Sequence, residues 1–282
     1  MLGITELSFP GFGIGNFTVD SVAFSIGKMD IAWYAIIITC GMIAAVAYTM
    51  FRTKQAGLNP DVIIDYALWT IPFGIIGARL YYVLYKLEDF DSFREVINIR
   101  SGGLAIYGGI IAGAITVFVV SKVKKIPFLF IADCCTPGII LAQAVGRWGN
   151  FMNGEAFGYE TDIFCRMGIN NYLTGYETIY VHPTFLYESI WNVLGFVLIN
   201  LFYKKRQYDG QVFLLVFGWY GLGRMLIEGL RTDSLYFQIF SAQFRVSQVL
   251  AGLIFIVCLS ALIYFQIKKP TKKLYNTPKK EQ

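Results

Sequence analysis

The segment Phe128–Val145, FLFIADCCTPGIILAQAV, decides how this chain is folded. It is apolar enough to lie in a bilayer, but it is short and carries Asp133, Pro137 and Gln143. Hydropathy alone therefore leaves open whether it crosses or turns back. Six clearer apolar runs surround it: roughly Ile31–Phe51, Val62–Tyr85, Gly103–Ser121, Pro183–Tyr203, Gln211–Leu230 and Val246–Gln266. Each is long enough to span a hydrocarbon layer about 30 Å thick. Lysine and arginine collect in alternate linkers: Arg52 and Lys54; Lys122, Lys124 and Lys125; Lys204, Lys205 and Arg206; and the tail with Lys268, Lys269, Lys272, Lys273, Lys279 and Lys280. In the other linkers, Lys86–Gly102, Gly146–His182 and Arg231–Arg245, basic residues are diluted by Glu and Asp. Under the positive-inside rule this alternation holds only if Phe128–Val145 is a full crossing. The expected fold is an all-α polytopic membrane protein of seven transmembrane helices, N-terminus outside and C-terminus in the cytoplasm.

The bulk composition agrees. Of 282 residues 56% are hydrophobic and 15% charged, against about 25% charged in a soluble domain, and mean hydropathy is +0.54. The net charge of +5 follows from the cytoplasmic lysines and gives no reason to expect nucleic acid. Residues 1–30, rich in Gly and Phe, read as an interfacial or irregular arm. Residues 31–266 form the membrane domain, 146–182 an external insertion in which TGYETIYVHP suggests a short hairpin, and 267–282 a basic cytoplasmic tail. The start lacks the features of a cleaved signal peptide, so the first span is expected to direct insertion. The cysteines show no CxxC or zinc spacing, and neither a disulfide framework nor a metal is expected.

The chemistry is concentrated just beyond the deciding segment, in Val145–Gly158, VGRWGNFMNGEAFG. Arg147, Asn150, Asn153 and Glu155 fall there among four glycines, which read as turns where backbone approaches a ligand. A charge inside a membrane costs around 3 kcal/mol on insertion scales, so each one needs an account. In the sixth span Tyr220, Arg224, Glu228 and Arg231 lie at spacings that form one narrow stripe on a helix. Arg224 and Glu228 can pair at i, i+4. Two arginines against one carboxylate leave a surplus positive charge, and the guanidinium fork suits phosphate. Glu188, in HPTFLYES, is a further partner for one of these arginines. Arg79 is accounted for as well by snorkelling to the outer interface as by any functional role. GGLAIYGG, Gly102–Gly109, reads chiefly as close helix packing, and His182 as a capping or hydrogen-bonding residue. No GxSxG, HExxH, Walker or dinucleotide motif occurs. The residues alone point to an outer-facing site for an anionic lipid head group. Three readings fit it: an enzyme, a transporter of such lipids, or a transferase with another acceptor.

The motifs GRWGNFMNGE (Gly146–Glu155), HPTFLYE (His182–Glu188), GGLAIYGG and GRMLIEGLR followed by Thr232 and Asp233 resemble the prolipoprotein diacylglyceryl transferases of bacteria. They come in that family's order from about Trp33–Tyr34 to the seventh span. The resemblance implies transfer of the diacylglyceryl group of phosphatidylglycerol to the lipobox cysteine of a prolipoprotein signal peptide, with glycerol phosphate leaving. It implies a place in the bacterial cytoplasmic membrane; no cofactor is expected, and the working unit is expected to be a monomer. It also implies catalytic roles for Arg147, Arg224 and Glu155, and Tyr107 is expected to join them at a position where the chain departs from the family. Phosphatidylglycerol would be bound by Arg147, Asn150, Gly158, Tyr34, Arg224 and Glu228. One departure stands out: many family members carry His where this chain has Tyr107. The expectation is that Tyr107 positions or relays the thiol proton while the arginines lower the thiol pKa.

Overall fold

The computed structural model describes residues 3–27, 29–99, 102–239, 242–268 and 274–275. It is mostly helical. The elements run β1 (Ile4–Phe9), β2 (Ile14–Asp20), β3 (Val22–Ile26), β4 (Met29–Ala32), α1 (Trp33–Gln55), α2 (Val62–Tyr85), α3 (Phe93–Ile97), α4 (Ile106–Lys124), α5 (Phe128–Asn153), β5 (Met167–Asn170), β6 (Ile179–Val181), α6 (Thr184–Tyr203), α7 (Gln211–Glu228), β7 (Tyr236–Ile239), β8 (Ala242–Arg245) and α8 (Val246–Lys268). Among the described residues six helices are long and apolar enough to cross a membrane: α1, α2, α4, α5, α6 and α8. The expected sixth span, α7, is only 18 residues long and spends two of them on Arg224 and Glu228, so it falls outside that group. Most of the basic tail expected over 267–282 lies outside the described residues.

Three expectations change. The chain is not all-α: β2-β1-β5-β6 form an antiparallel sheet, and β3-β4 and β7-β8 form two-stranded ribbons. The irregular arm expected over 1–30 is therefore mostly strand. In β1 the alternation that marks a strand is masked, because Thr5, Leu7 and Ser8 are buried and Glu6 and Phe9 half-buried, leaving only Ile4 of its six residues exposed. β6 does make a hairpin, but its partner is β5, paired Met167↔Val181 through Ile169↔Ile179, rather than an arm within TGYETIYVHP. Third, α5 does not stop at Val145. It continues through the glycines to Asn153, a helix of 26 residues and the most enclosed of the apolar helices. Pro137 lies inside it and cannot donate to the carbonyl of Asp133 four residues back.

The chain divides into two compact units, the divisions falling within α1 and α5. The first comprises residues 1–45 and 135–273. Its sheet buries Leu7, Met167, Ile169 and Val181 against Phe185 at the start of α6. Glycines let its helices approach closely: a Cβ on Gly41 would sit 3.2 Å from the carbonyl oxygen of Ala142, and one on Gly221 2.7 Å from that of Ala251. α6 and α7 are joined by a reciprocal pair. The Trp191 indole donates to the Trp219 carbonyl at 3.0 Å and Trp219 to that of Trp191 at 2.9 Å, with the rings stacked 4.4 Å apart. Gly195 and Gly223 leave the room those indoles occupy.

The second unit comprises residues 46–134 and 274–282. α2 and α4 cross where Gly77 meets Gly108 and Ala112, so the glycines of GGLAIYGG serve helix packing. Its core contains Ile63, Tyr66, Val120, Ile126, Phe130 and Ile131. Arg79 does not snorkel. It is buried and donates to the carbonyls of Glu95 at 2.7 Å, Val96 at 2.8 Å, Gly102 at 2.8 Å and Gly103 at 3.0 Å. A guanidinium that satisfies four carbonyls of one loop lowers its energy more by staying inside than by reaching water. The positive φ of Gly102 (85°) and Gly103 (75°) turns two of those carbonyls toward it.

Candidate functional site

The site in the first unit is built on the last turns of α5. Gly146 and Gly149, expected in a turn, are helical, and their missing side chains bring α1 close. A Cβ on Gly146 would lie 3.1 Å from Ile38, and one on Gly149 2.7 Å from the Tyr34 ring. Tyr34 is thus seated over the signature helix by the absence of a methyl group. The helix ends at Gly154, whose φ of 61° is the left-handed cap position, and the amide of Asn171 donates to its carbonyl at 2.8 Å. The turn folds Glu155 back over the helix: its N–H donates to the Asn150 carbonyl, and its carboxylate accepts from the side-chain amides of Asn150 and Asn153, all at 3.1 Å. Asn150 in turn accepts from Arg147 at 3.3 Å. A chain of hydrogen bonds therefore runs Arg147–Asn150–Glu155, three of the residues expected at the site.

The centre of the site is a residue the sequence offered only as a partner. Glu188, on the second turn of α6, is buried and shared by three arginines. Arg147 from α5 pairs with one of its oxygens. Arg224 from α7 and Arg231 from beyond α7 pair with the other at 3.0 and 3.1 Å. Arg224 also pairs with Glu228 at 2.6 Å, the i, i+4 contact expected. Arg231 holds Asp233 with two hydrogen bonds, of 2.9 and 2.7 Å. Burial alone would raise the Asp233 carboxyl, but the Arg231 hydrogen bonds and charge outweigh it and hold the group below its ordinary pKa.

Two expectations about this cluster are corrected. Arg231 is not on the α7 stripe. The helix ends at Glu228, and Arg231 pairs as a β-bridge with Gly158. Nor is there a surplus of positive charge: Glu188, Glu228 and Asp233 match Arg147, Arg224 and Arg231, with Glu155 beyond them. The sequence count failed because two of the carboxylates come from outside the stripe that was counted.

Gly158 sits where three segments meet. Its N–H donates to the His182 carbonyl at 3.0 Å, and the neighbouring Tyr159 N–H donates to that of Leu230 at 2.9 Å. A Cβ here would lie 2.7 Å from the His182 Cβ and 2.8 Å from the Leu230 oxygen. Neither neighbour can yield without moving backbone, so Gly158→Ala is expected to push the Arg231 corner away. It should cost roughly 1–3 kcal/mol in stability and lower turnover in detergent-purified protein; unchanged melting and rate would contradict the packing described. His182 has the hydrogen-bonding role expected: its Nδ1 lies 3.3 Å from the Tyr187 hydroxyl. Burial pulls its imidazole below the ordinary value, which keeps it neutral at pH 7.

Arg147, Asn150, Glu155, Gly158, Tyr34, Arg224 and Glu228 all belong to the first unit. Tyr107 belongs to the second, in the first turn of α4. The sequence offered Glu188 only as a partner for one arginine and gave Asp233 no role of its own. The available signal for Glu188 was a carboxylate in an otherwise apolar span, which cannot stay there unpaired.

The profile of the prolipoprotein diacylglyceryl transferase family matches residues 21–264. A Clostridium perfringens protein named phosphatidylglycerol–prolipoprotein diacylglyceryl transferase 1 is 46% identical over 255 residues, covering 87% of this chain and 94% of its own. Proteins carrying the same name without a number are 41% identical in Enterococcus faecalis, over 94% of this chain and 96% of theirs, and 39% identical in Listeria welshimeri, over 91% and 93%. With the profile covering most of the sequence and relatives of this identity along nearly its full length, the chain belongs to the prolipoprotein diacylglyceryl transferase family.

Proposed function

We propose that this chain transfers the diacylglyceryl group of phosphatidylglycerol to the lipobox cysteine of a prolipoprotein, the first step of lipoprotein maturation. The observation that carries the reading is the convergence of Arg147, Arg224 and Arg231 on buried Glu188, in a chain of this family. The cysteine sulfur, as thiolate, attacks the glycerol carbon that bears the phosphate ester. The C–S bond forms, the C–O bond breaks, and glycerol phosphate leaves with the electron pair. Negative charge grows on the phosphate, and guanidinium N–H groups fixed in advance stabilise it without reorganising. Arg147 and Arg224 are the arginines for this task, since their side chains keep 22% and 16% of their surface accessible against 8% for Arg231. Glu188 and Glu228 hold the two forks in place. Asn150 and Glu155 orient Arg147, and Tyr34 and Gly158 shape the space around the lipid.

The thiol must lose its proton, and Tyr107 is proposed to relay it. Tyr107→Phe should lower turnover and change its pH dependence; full turnover across the pH range would remove Tyr107 from the mechanism. The lysine pattern supports seven crossings, α7 included, with the N-terminus and the site on the outer side of the bacterial cytoplasmic membrane. The working unit is taken to be a monomer that needs no cofactor. The test is purified protein with phosphatidylglycerol and a peptide carrying a lipobox cysteine. Mass spectrometry should find a diacylglyceryl adduct on the peptide and none on its Cys→Ser form. Protein that binds the lipid and makes no adduct would contradict the reading.

A further inference from the structure

Arg245, the last residue of β8, lies outside the glycine-rich and arginine motifs of the site, and its guanidinium joins three segments of the first unit. One terminal nitrogen donates to the Glu228 carbonyl at 2.5 Å, the other to the Tyr159 hydroxyl at 3.0 Å, and Nε to the Tyr236 hydroxyl at 3.1 Å. It also lies 5.7 Å from the ring centroids of both tyrosines. Each partner belongs to a different part of the site's frame. Glu228 ends α7, Tyr159 follows Gly158, and Tyr236 faces Arg245 across the β7–β8 ribbon.

Helix physics favours a cation at this place. The last carbonyls of α7 look beyond the helix for partners; those of Ile227 and Glu228 accept from the backbone N–H groups of Leu230 and Arg231 at 2.9 and 3.2 Å, and a cation near the helix C-terminus is further favoured by the dipole. The β8–α8 junction supplies two side-chain donors: Gln248 to the Met225 carbonyl at 3.0 Å and Arg245 to that of Glu228. Arg224 and Glu228 project from this same final stretch, and the Gly158↔Arg231 bridge lies just beyond it. We propose that Arg245 is a positioning residue for the phosphate-gripping arginines: it fixes the end of α7 to the Gly158–Tyr159 segment and so sets Arg224, Glu228 and Arg231 in register. The proposal rests on the transfer reading for its kinetic consequence, while the contact itself can be measured separately.

The experiment compares wild type, Arg245→Lys and Arg245→Ala as full chains in detergent, with phosphatidylglycerol and a lipobox peptide. Two readouts are taken: the split between kcat and KM, and amide hydrogen exchange. Lysine keeps the charge at the helix end but cannot reach three acceptors with a planar fork. Arg245→Lys should therefore lose about tenfold or more in kcat, with KM for phosphatidylglycerol nearly unchanged, as expected when a catalytic group is displaced by a fraction of an ångström. The amides of Tyr159 and Thr232, bonded to Leu230 and Phe157, should exchange faster, while that of Ile169 in the sheet should not. Wild-type kinetics in both variants would overturn the proposal. So would faster exchange without loss of kcat, or loss of kcat with unchanged exchange, the last meaning that Arg245 acts on substrate directly. If Arg245→Ala fails to fold, Arg245→Lys decides alone. If wild type makes no adduct, the transfer reading fails, and the exchange comparison still decides whether Arg245 holds this corner.

Discussion

Glu188→Gln should abolish transfer almost completely, by at least about a hundredfold, and should also lower the melting temperature in detergent. The two effects have one origin. Three guanidiniums converge on this carboxylate, two of them on the same oxygen. An amide of equal size keeps the shape and removes the charge that draws Arg147, Arg224 and Arg231 together, leaving Arg147 beside two other guanidiniums in a buried space. Removing one partner of a buried ion pair costs roughly 3–5 kcal/mol, because the remaining charge is uncompensated; here Arg147 loses its carboxylate partner, while Arg224 and Arg231 keep Glu228 and Asp233. The catalytic loss follows because arginines that move apart no longer present fixed donors to the phosphate. Glu188→Asp keeps the charge on a shorter arm and should fall between wild type and Gln in both rate and melting. A Gln variant with near wild-type rate would mean that the convergence is structural only.

Arg224→Lys should be nearly as damaging to rate and far milder in stability. Arg224 spans Glu188 and Glu228 with its two terminal nitrogens, at 3.0 and 2.6 Å. Lysine retains a positive charge for these carboxylates, but a single ammonium cannot bridge both and present further donors to a ligand. Loss of a fixed donor to developing negative charge typically costs a hundred- to a thousandfold in kcat, about 3–4 kcal/mol. The expected signature is a fall in kcat with a modest change in KM for phosphatidylglycerol. Arg147→Lys should behave similarly, since Arg147 also divides its donors, between Asn150 and Glu188. Retention of kcat in either variant would take that arginine out of the transition state.

The parts of this fold that were legible in the sequence were those governed by length and charge. Apolar runs bounded by lysines gave six of the long helices within a few residues, and i, i+4 spacing gave the Arg224–Glu228 pair. What the sequence hid depends on the third dimension. Gly146 and Gly149 read as turn glycines, because nothing in the sequence shows that Ile38 and Tyr34 pack against them. Strand β1 was hidden because Thr5 and Leu7 on one face and Ser8 on the other are all buried, which removes the alternation that marks a half-exposed strand. For Arg79 snorkelling stood as well as any functional role, because its acceptors are backbone carbonyls, which every residue has and no motif reveals. The charge balance failed for a related reason: Glu188 lies 36 residues from Arg224 in sequence, so counting along one helix could not include it.

The measurement that bears most directly on the central claim is the ratio of glycerol phosphate released to peptide thioether formed, in wild type and in Arg224→Lys under the same conditions. The account predicts one released per thioether in wild type, no release when the peptide thiol is blocked, and loss of both products together in the variant. Release of glycerol phosphate without a free thiol, or thioether formation undiminished in Arg224→Lys, would contradict it.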